Sequence, residues 1–226
     1  MRFLRQAGTI AVKDLKAELR TKEAINASLS FALVILLLFS FAFDPTAEQT
    51  REISGGLLWL VFAFAGALIL NRSFSREQAN DCLDILVASP VSGAALFIGK
   101  AVANAILILA VEVVCLPVFG VFYNITWTKR PWWLLLVLVL ATWGLTVIGT
   151  MFSALTVNLR LRELMLPVLV YPMMIPSLMA AMQLTTLLIA GEPVTGEDIV
   201  WLRLLIGFDI IFTALGIGLV ETVLVN

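Results

Sequence analysis

Histidine is absent from this 226-residue sequence, and charged residues make up only 14% of it. The missing histidine removes the commonest metal ligand and general base. The two cysteines, Cys82 and Cys115, lie nearly one bilayer apart along the chain, so no disulfide framework is expected. No basic run accompanies the net charge of −1, and nothing else in the composition indicates nucleic acid binding. We therefore predict no catalytic, cofactor-binding or metal site in this chain, and no nucleic acid partner.

Apolar residues dominate what remains: 61% of the chain is hydrophobic, and the mean hydropathy is +1.01. Soluble domains are about half apolar and about a quarter charged. The apolar runs are continuous rather than alternating, which favours membrane helices over a barrel, and each helix needs about 20 such residues to span. Six segments qualify, at residues 25–43, 53–71, 94–122, 132–155, 164–190 and 202–225. The second is barely long enough and the third is unusually long. The predicted fold class is an all-α integral membrane protein in which residues 25–226 form one six-helix domain.

Residues 1–24 read as a separate amphipathic helix. Its apolar face would carry Leu4, Ala7, Ala11, Leu15 and Leu19, with basic residues elsewhere around it. We expect such a helix to lie in the membrane interface against lipid headgroups. A secretory signal peptide is the alternative, but acidic residues at 14, 18 and 23 suit its amino-terminal region poorly.

Basic residues set the predicted orientation. With the amino terminus inside, eleven of the 15 lysines and arginines fall on the inner side, at positions 2, 5, 13, 16, 20, 22, 72, 76, 100, 160 and 162. The outer side keeps the other four, at 51, 129, 130 and 203. Tryptophans at 127, 132 and 133 would form an outer aromatic belt. Both termini and residues 71–100 are therefore predicted to be cytoplasmic.

The 71–100 stretch is the longest polar interruption between apolar segments. Within it, residues 76–88 have helical periodicity, with apolar and polar side chains on opposite faces. The apolar face carries Ala79, Cys82, Leu83 and Leu86, and the polar face carries Glu77, Asn80, Asp81 and Asp84. Ser89 and Pro90 would end this helix and suit the cap and first position of the next one. An amphipathic helix on a short loop between spans is a surface on which a partner could push.

A phosphate loop is the tempting interpretation of residues 93–101. It fails because five residues separate Gly93 from Gly99 where four are required, and because Ala101 replaces the magnesium-binding hydroxyl. No strand precedes it. We expect an ordinary helix start here, with Lys100 extending to the inner membrane surface.

Three acidic residues lie within the predicted spans, at positions 112, 209 and 221, and Glu221, near the inner end of the sixth, is expected to be interfacial. Glu112 lies about mid-membrane in the third segment, where a carboxylate costs ~2.5–3.5 kcal/mol, so it should face the bundle interior or carry a proton. It could contact a substrate or partner, or form a structural hydrogen bond to a neighbouring span. Asp209 in the sixth segment is the second intramembrane candidate. Small residues predict close helix packing, namely Gly144, Gly149, Ser153, Gly207, Gly216 and Gly218. Helix kinks are predicted at Pro117, Pro172 and Pro176.

The six spans, the amino-terminal helix and the inner loop resemble the membrane subunit of type-2 ABC exporters. Within that superfamily the chain looks most similar to the haem exporter protein B family (CcmB), the permease of the cytochrome c maturation system. The resemblance covers essentially the whole chain. Its residues include Lys13-Asp14-Leu15, Phe43-Asp44-Pro45, Gly56-Leu57-Leu58-Trp59-Leu60, Asn71-Arg72-Ser73-Phe74, Gly99-Lys100-Ala101, Val111-Glu112, Leu116-Pro117, Leu169-Val170-Tyr171-Pro172 and Ile175-Pro176. The chain departs from the usual pattern at Asp81-Cys82 and at Asp84, where the family has Gly followed by Ser or Thr, and Glu.

The resemblance implies a permease of the bacterial inner membrane that works with a separate ATPase subunit. Its coupling loop would be residues 71–93, and the ATPase would contact Arg76, Glu77, Asp81, Leu83, Asp84, Leu86 and Pro90. ATP and Mg²⁺ would be bound by that ATPase. Haem would be handled by a haem-handling membrane subunit with a small accessory subunit, and by a periplasmic haem chaperone. Two permease copies are expected by analogy. Since the chain has no histidine, we predict that it does not ligate haem iron itself.

Other functions fit part of the same pattern. A type-2 exporter permease for a lipid, polysaccharide or drug would share the mechanism and differ in substrate. A non-transporting membrane scaffold would use the inner loop only to dock a partner, and ATPase activity that depends on this chain would exclude it. A membrane-embedded enzyme is the weakest alternative, because Glu112 and Asp209 alone do not make a catalytic pair.

Overall fold

The computed structural model describes residues 2–44, 47–74, 91–123, 125, 130–156 and 162–225. Within these ranges the chain forms helices joined by short connections, with one 3-10 turn at Gly196–Asp198. The helices are α1 (Arg2–Thr21), α2 (Glu23–Ala42), α3 (Glu48–Asn71), α4 (Gly93–Phe122), α5 (Pro131–Thr156), α6 (Arg162–Ala190) and α7 (Ile199–Val225).

Helices α2 to α7 are each long and apolar enough to cross a membrane, which confirms the predicted six spans. The second span is longer than predicted, because α3 begins at Glu48 and runs for 24 residues through the polar residues that precede the apolar run. The third span is unusually long, as predicted. At 1.5 Å per residue, the 30 residues of α4 extend for about 45 Å, beyond a hydrocarbon core of about 30 Å. Part of α4 therefore lies outside that core.

Helix α5 is the centre of the bundle, and it packs against α3, α4, α6 and α7. It contains no charged residue, so it can be surrounded by protein and lipid without an ionic partner. In contrast, α2 is peripheral and packs mainly against α3 and α4. Its Ser28 hydroxyl donates to the Ala65 carbonyl oxygen of α3 over 2.9 Å, which satisfies a polar group inside the membrane.

Glycines mark close contacts at some of the predicted positions and not at others. A Cβ at Gly149 would collide with the Leu70 side chain of α3, and one at Gly216 would collide with the Phe97 ring of α4. A Cβ at Gly144 would lie 2.8 Å from Asp209 Oδ1 of α7. The prediction was wrong for Gly207 and Gly218, which have open space at the Cβ position. These two lie on faces of α7 that no described helix covers.

A tight turn at Lys22 separates α1 from α2. Lys22 has a left-handed backbone conformation with φ of 56°, so the chain changes direction within one residue. The buried Glu18 carboxylate accepts hydrogen bonds from the Ala24 and Ile25 amides at 2.8 and 3.0 Å. It therefore caps the amino terminus of α2 and fixes α1 relative to the first span.

Helix α1 forms as predicted, but only part of its predicted apolar face is buried. Ala7 and Ala11 are buried together with Ile10, whereas Leu4 is 73% exposed and Leu19 is 59% exposed. The reason is that α1 packs along α4, whose position no pattern within α1 could reveal. The exposed residues leave an apolar edge that suits contact with lipid.

Candidate functional site

The predicted coupling face lies outside the described residues. It comprises Arg76, Glu77, Asp81, Leu83, Asp84, Leu86 and Pro90, and the described chain stops at Phe74 and resumes at Val91. The helix that follows begins at Gly93, with Ser92 as its cap: the Ser92 hydroxyl accepts from the Ala95 amide at 3.3 Å. The start of α4 is therefore three residues beyond Pro90.

Both ends of this inner loop attach to one small apolar cluster, which we call the loop-root cluster. It contains Phe74, Ile10 of α1, Leu96 of α4 and Ala154 of α5, with Val91 packed against it. Phe74 is fully buried. The residues on either side of positions 75–90, Phe74 and Val91, therefore lie at the same place in the bundle.

Lys100 lies beside the loop-root cluster, and its side chain is only 1% exposed. Its Nζ donates to the Ser73 carbonyl oxygen at 2.6 Å and to Asp14 Oδ2 of α1 at 3.2 Å. The same nitrogen lies 4.6 Å from the centroid of the Phe74 ring, within the range of a cation–π contact. The prediction that Lys100 extends to the membrane surface was wrong, because a carboxylate, a carbonyl and an aromatic ring satisfy it inside the protein.

Asn104 continues this polar network one turn further along α4. Its Nδ2 donates to the Ser73 hydroxyl and to Thr150 Oγ1 of α5, both over 2.9 Å. Sequence reasoning did not single out Asn104, and it named Asp14 only as part of the family resemblance and not as a partner of Lys100. The available signal was the pairing of a lysine with an asparagine four residues later inside an apolar helix, a spacing that places both on one face.

Glu112 faces the bundle interior, as predicted. Its side chain is 1% exposed, and its Oε1 accepts a hydrogen bond from Thr142 Oγ1 of α5 at 2.7 Å. The other carboxyl oxygen has no hydrogen-bond partner among the described residues. Glu112 lies ten residues before the end of α4, about 15 Å from that end at 1.5 Å per residue. The observed contact is the structural hydrogen bond that the sequence left open as one of two possibilities.

Asp209 is the second buried acid, with 6% of its surface exposed. One of its carboxyl oxygens, Oδ1, lies 2.8 Å from where a Cβ of Gly144 would be, and the Ser177 hydroxyl lies 3.2 Å from the same point. Neither Asp209 oxygen nor the Ser177 hydroxyl has a hydrogen-bond partner in the described parts of the chain. The missing side chain of Gly144 therefore makes room for polar groups of α6 and α7.

The two acids contact different sides of α5. Glu112 meets Thr142 and Asp209 meets Gly144, and positions two apart on a helix are about 200° apart around its axis. The fold therefore does not bring the carboxyl groups together as a pair. Where side chains are described, no three His, Cys, Asp or Glu residues are grouped as metal ligands would be.

The prolines lie inside helices. Pro117 is within α4, and Pro172 and Pro176 are within α6, which also contains Pro167. Both helices continue past these residues, so the prolines do not end a span. Each removes one backbone donor, which membrane bundles tolerate. The kinks expected at these positions stay predictions.

Comparison with known proteins identifies relatives over most of the chain. The family model described as "CcmB protein" matches residues 5–218. A protein named Heme exporter protein B from Rhodobacter capsulatus is 32% identical over 172 residues, which cover 76% of this chain and 78% of the relative. Its namesake from Paracoccus denitrificans is 28% identical over 75% of this chain and 77% of its own length. That of Pseudomonas aeruginosa is 29% identical over 88% of each chain.

The family match covers most of the helical bundle and the buried polar residues described above. It includes α4, α5 and α6 whole, with the residues of the loop-root cluster and both buried acids. It also covers residues 75–90, where the predicted coupling face lies. The chain therefore belongs to the CcmB protein family.

Proposed function

We propose that this chain is the membrane permease subunit of an ABC exporter that serves haem delivery in cytochrome c maturation. The observation that carries the proposal is the family match over residues 5–218, which takes in the first five spans, most of the sixth and the inner loop. The relatives are named Heme exporter protein B, which supports haem as the cargo of the system. The permease is non-catalytic, and its part is mechanical.

Energy comes from ATP and Mg²⁺ bound by a separate ATPase subunit. The glycine-containing stretch at 93–100 supports this division of labour, because it forms the first turns of α4 instead of a loop around a phosphate. Backbone amides within a helix are used in its own hydrogen bonds. The lysine of this stretch is engaged with Asp14 and the Ser73 carbonyl.

Residues 75–90 contact the ATPase through Arg76, Glu77, Asp81, Leu83, Asp84, Leu86 and Pro90. Closure of two ATPase subunits around nucleotide moves this loop, and α3 and α4, which flank it, tilt with it. The placement of both loop ends on one cluster of α1, α4 and α5 supports such a transfer. Two ATPase subunits need two permease copies.

Haem itself is bound by partners: a haem-handling membrane subunit, a small accessory subunit and a periplasmic chaperone. ATP hydrolysis drives haem export or release of the haem-loaded chaperone. The permease lacks histidine, so it does not ligate the haem iron. It lies in the bacterial inner membrane with both termini cytoplasmic, where α1 sits at the interface with its exposed Leu4 and Leu19 in lipid.

The test is co-purification of the ATPase with a charge-reversed loop. The full complex is expressed with a tag on this chain, and the bound ATPase and its hydrolysis rate are measured for Asp84→Lys. We expect the ATPase to be lost while the permease still inserts. Glu197→Lys is the matched control, because it reverses an exposed acid on the predicted outer side.

Three results separate the alternatives. ATPase binding by Asp84→Lys at the wild-type level means that this face is not the contact. ATPase activity that is the same with and without the permease indicates a scaffold. A permease that recruits an ATPase but co-purifies with no haem-handling subunit indicates an exporter for another substrate.

A further inference from the structure

A buried lysine needs a reason, because taking an ammonium group out of water costs several kcal/mol unless its partners compensate. Lys100 is among the largest fully buried side chains described in this protein. It has two oxygen acceptors and an aromatic ring around its ammonium group. The partners are Asp14 of α1 and the two residues Ser73 and Phe74, which follow α3. Lys100, in α4, therefore connects α4 to α1 and to the end of α3.

The partners lie at the base of the loop that the proposed function assigns to ATPase contact. Ser73 and Phe74 are the last described residues before residues 75–90. Lys100 holds the first through its carbonyl oxygen and lies over the ring of the second. Asn104 holds the Ser73 hydroxyl and ties it to Thr150 of α5.

The contacts around Lys100 also connect helix α1 to the residues that flank the loop. Asp14 of α1 pairs with Lys100, and both side chains are largely shielded from solvent, with side-chain exposures of 19% and 1%. Next to Lys100, a Cβ on Gly99 would lie 2.7 Å from the Ala7 carbonyl oxygen, so the backbones of α1 and α4 touch directly. Ile10 completes the contact by packing with Phe74 and Leu96.

We propose that Lys100 is a positioning residue that locks the residues flanking positions 75–90, namely Ser73 and Phe74 on one side and the start of α4 on the other, to α1, so that these flanking residues and the amino-terminal helix move as one body. Displacement of the loop then reaches α1, and through the Glu18 cap it reaches the first span. The helix that the sequence presents as a lipid anchor becomes a moving part of the permease. This inference rests on the proposed function, because it takes the loop as the point where ATPase motion enters.

The test compares Lys100→Met with Lys13→Met in the purified full complex. Lys13 is the matched control, since its Nζ also pairs with Asp14, at 3.0 Å, but its side chain is 46% exposed. Amide hydrogen exchange is measured in α1 and in residues 91–98, without nucleotide and after trapping with ATP and vanadate. The stoichiometry of ATPase to permease is measured in parallel.

In the wild type and in Lys13→Met, trapping changes exchange in both segments. In Lys100→Met the ATPase still binds and residues 91–98 still respond. The response of α1 falls by about fivefold or more, at the low end of typical coupling between sites. Lys100→Arg, which keeps the charge and the donors, restores part of it. A residue that only stabilises the fold would raise exchange in both nucleotide states without removing the difference between them.

The proposal is overturned if α1 responds to trapping equally in Lys100→Met and wild type, or if wild-type α1 does not respond. If Lys100→Met does not accumulate, Asp14→Asn replaces it and must reduce the α1 response in the same way. A wild-type chain that recruits no ATPase defeats the proposed function separately. The inference then falls as well, because no ATPase motion enters the loop. An ATPase that binds normally while α1 responds equally in Lys100→Met and wild type overturns the inference alone.

Discussion

Two adjacent glycines in α3 provide a sharp test of the packing, because they differ only in what they face. A Cβ at Gly55 would lie 2.5 Å from the Met182 carbonyl oxygen and 2.9 Å from the Thr186 amide nitrogen, both in the backbone of α6. A Cβ at Gly56 would meet only the terminal methyl of the Met182 side chain, at 2.8 Å. Backbone cannot yield without moving a helix, whereas the end of a methionine side chain can rotate away.

The free energy of unfolding should therefore respond differently to alanine at the two positions. Gly55→Ala forces α3 away from α6, and overpacking of this kind costs ~1–3 kcal/mol. The separation also weakens two hydrogen bonds, from the Gly55 amide to Thr186 Oγ1 at 3.2 Å and from Trp59 Nε1 to Thr185 Oγ1 at 2.9 Å. Such bonds between membrane helices contribute ~0.6 kcal/mol each. Replacing glycine by alanine in a helix returns ~1 kcal/mol, so the net loss for Gly55→Ala is ~1–3 kcal/mol.

For Gly56→Ala the same gain in helix propensity offsets the displacement of one flexible side chain, and the net change is close to zero. The assay is equilibrium unfolding of the purified permease in mixed micelles with increasing SDS, followed by tryptophan fluorescence. The two variants share a helix, a substitution and a depth in the membrane, so their difference isolates the contact with α6. Equal stabilities for the two variants, or a less stable Gly56→Ala, would refute the packing of α3 on α6.

Two further predictions concern the buried acids. Thr142→Val removes the hydroxyl that donates to Glu112, so neither carboxyl oxygen keeps a hydrogen-bond partner among the described residues. We expect the free energy of unfolding to fall by ~1–2 kcal/mol in the same assay, and Thr142→Ser should not show this fall. Gly144→Ala places a methyl group against Asp209 and should lower the free energy of unfolding by ~1–3 kcal/mol. Adding Asp209→Ala to the same chain should restore most of that free energy. Gly207→Ala, with open space at its Cβ, is the control, and a similar loss there would contradict the assignment.

The membrane-spanning architecture could be predicted from the sequence because it depends on local properties. The length and continuity of an apolar run decide whether it can cross a bilayer, and both are visible without any knowledge of neighbours. The unusual length of α4 and the prolines within α4 and α6 were visible for the same reason. Glu112 faces inward, as expected from the cost of exposing a carboxylate to lipid.

The partners of the buried polar groups could not be predicted in this way. The hydrogen-bond partner of Glu112 is Thr142, which lies on another helix, α5. Asp209 occupies space that the missing side chain of Gly144, also in α5, leaves open. Lys100 looked like a surface lysine because a long side chain near a helix end usually reaches water. Its burial depends on Asp14, 86 positions earlier in the chain.

Helix α1 shows most clearly which properties follow from the sequence and which depend on the tertiary structure. Its sequence alone determined that it is helical and amphipathic, since periodicity is a property of the helix itself. Only the tertiary structure decided that Ala7, Ile10 and Ala11 are covered while Leu4 and Leu19 are exposed. An apolar face predicts that something covers it. Which helix does so is decided by contacts between residues far apart in the chain. The same holds for Gly55 and Gly56, which are adjacent in sequence and differ because Gly55 faces the backbone of α6 and Gly56 faces only the end of a side chain of α6.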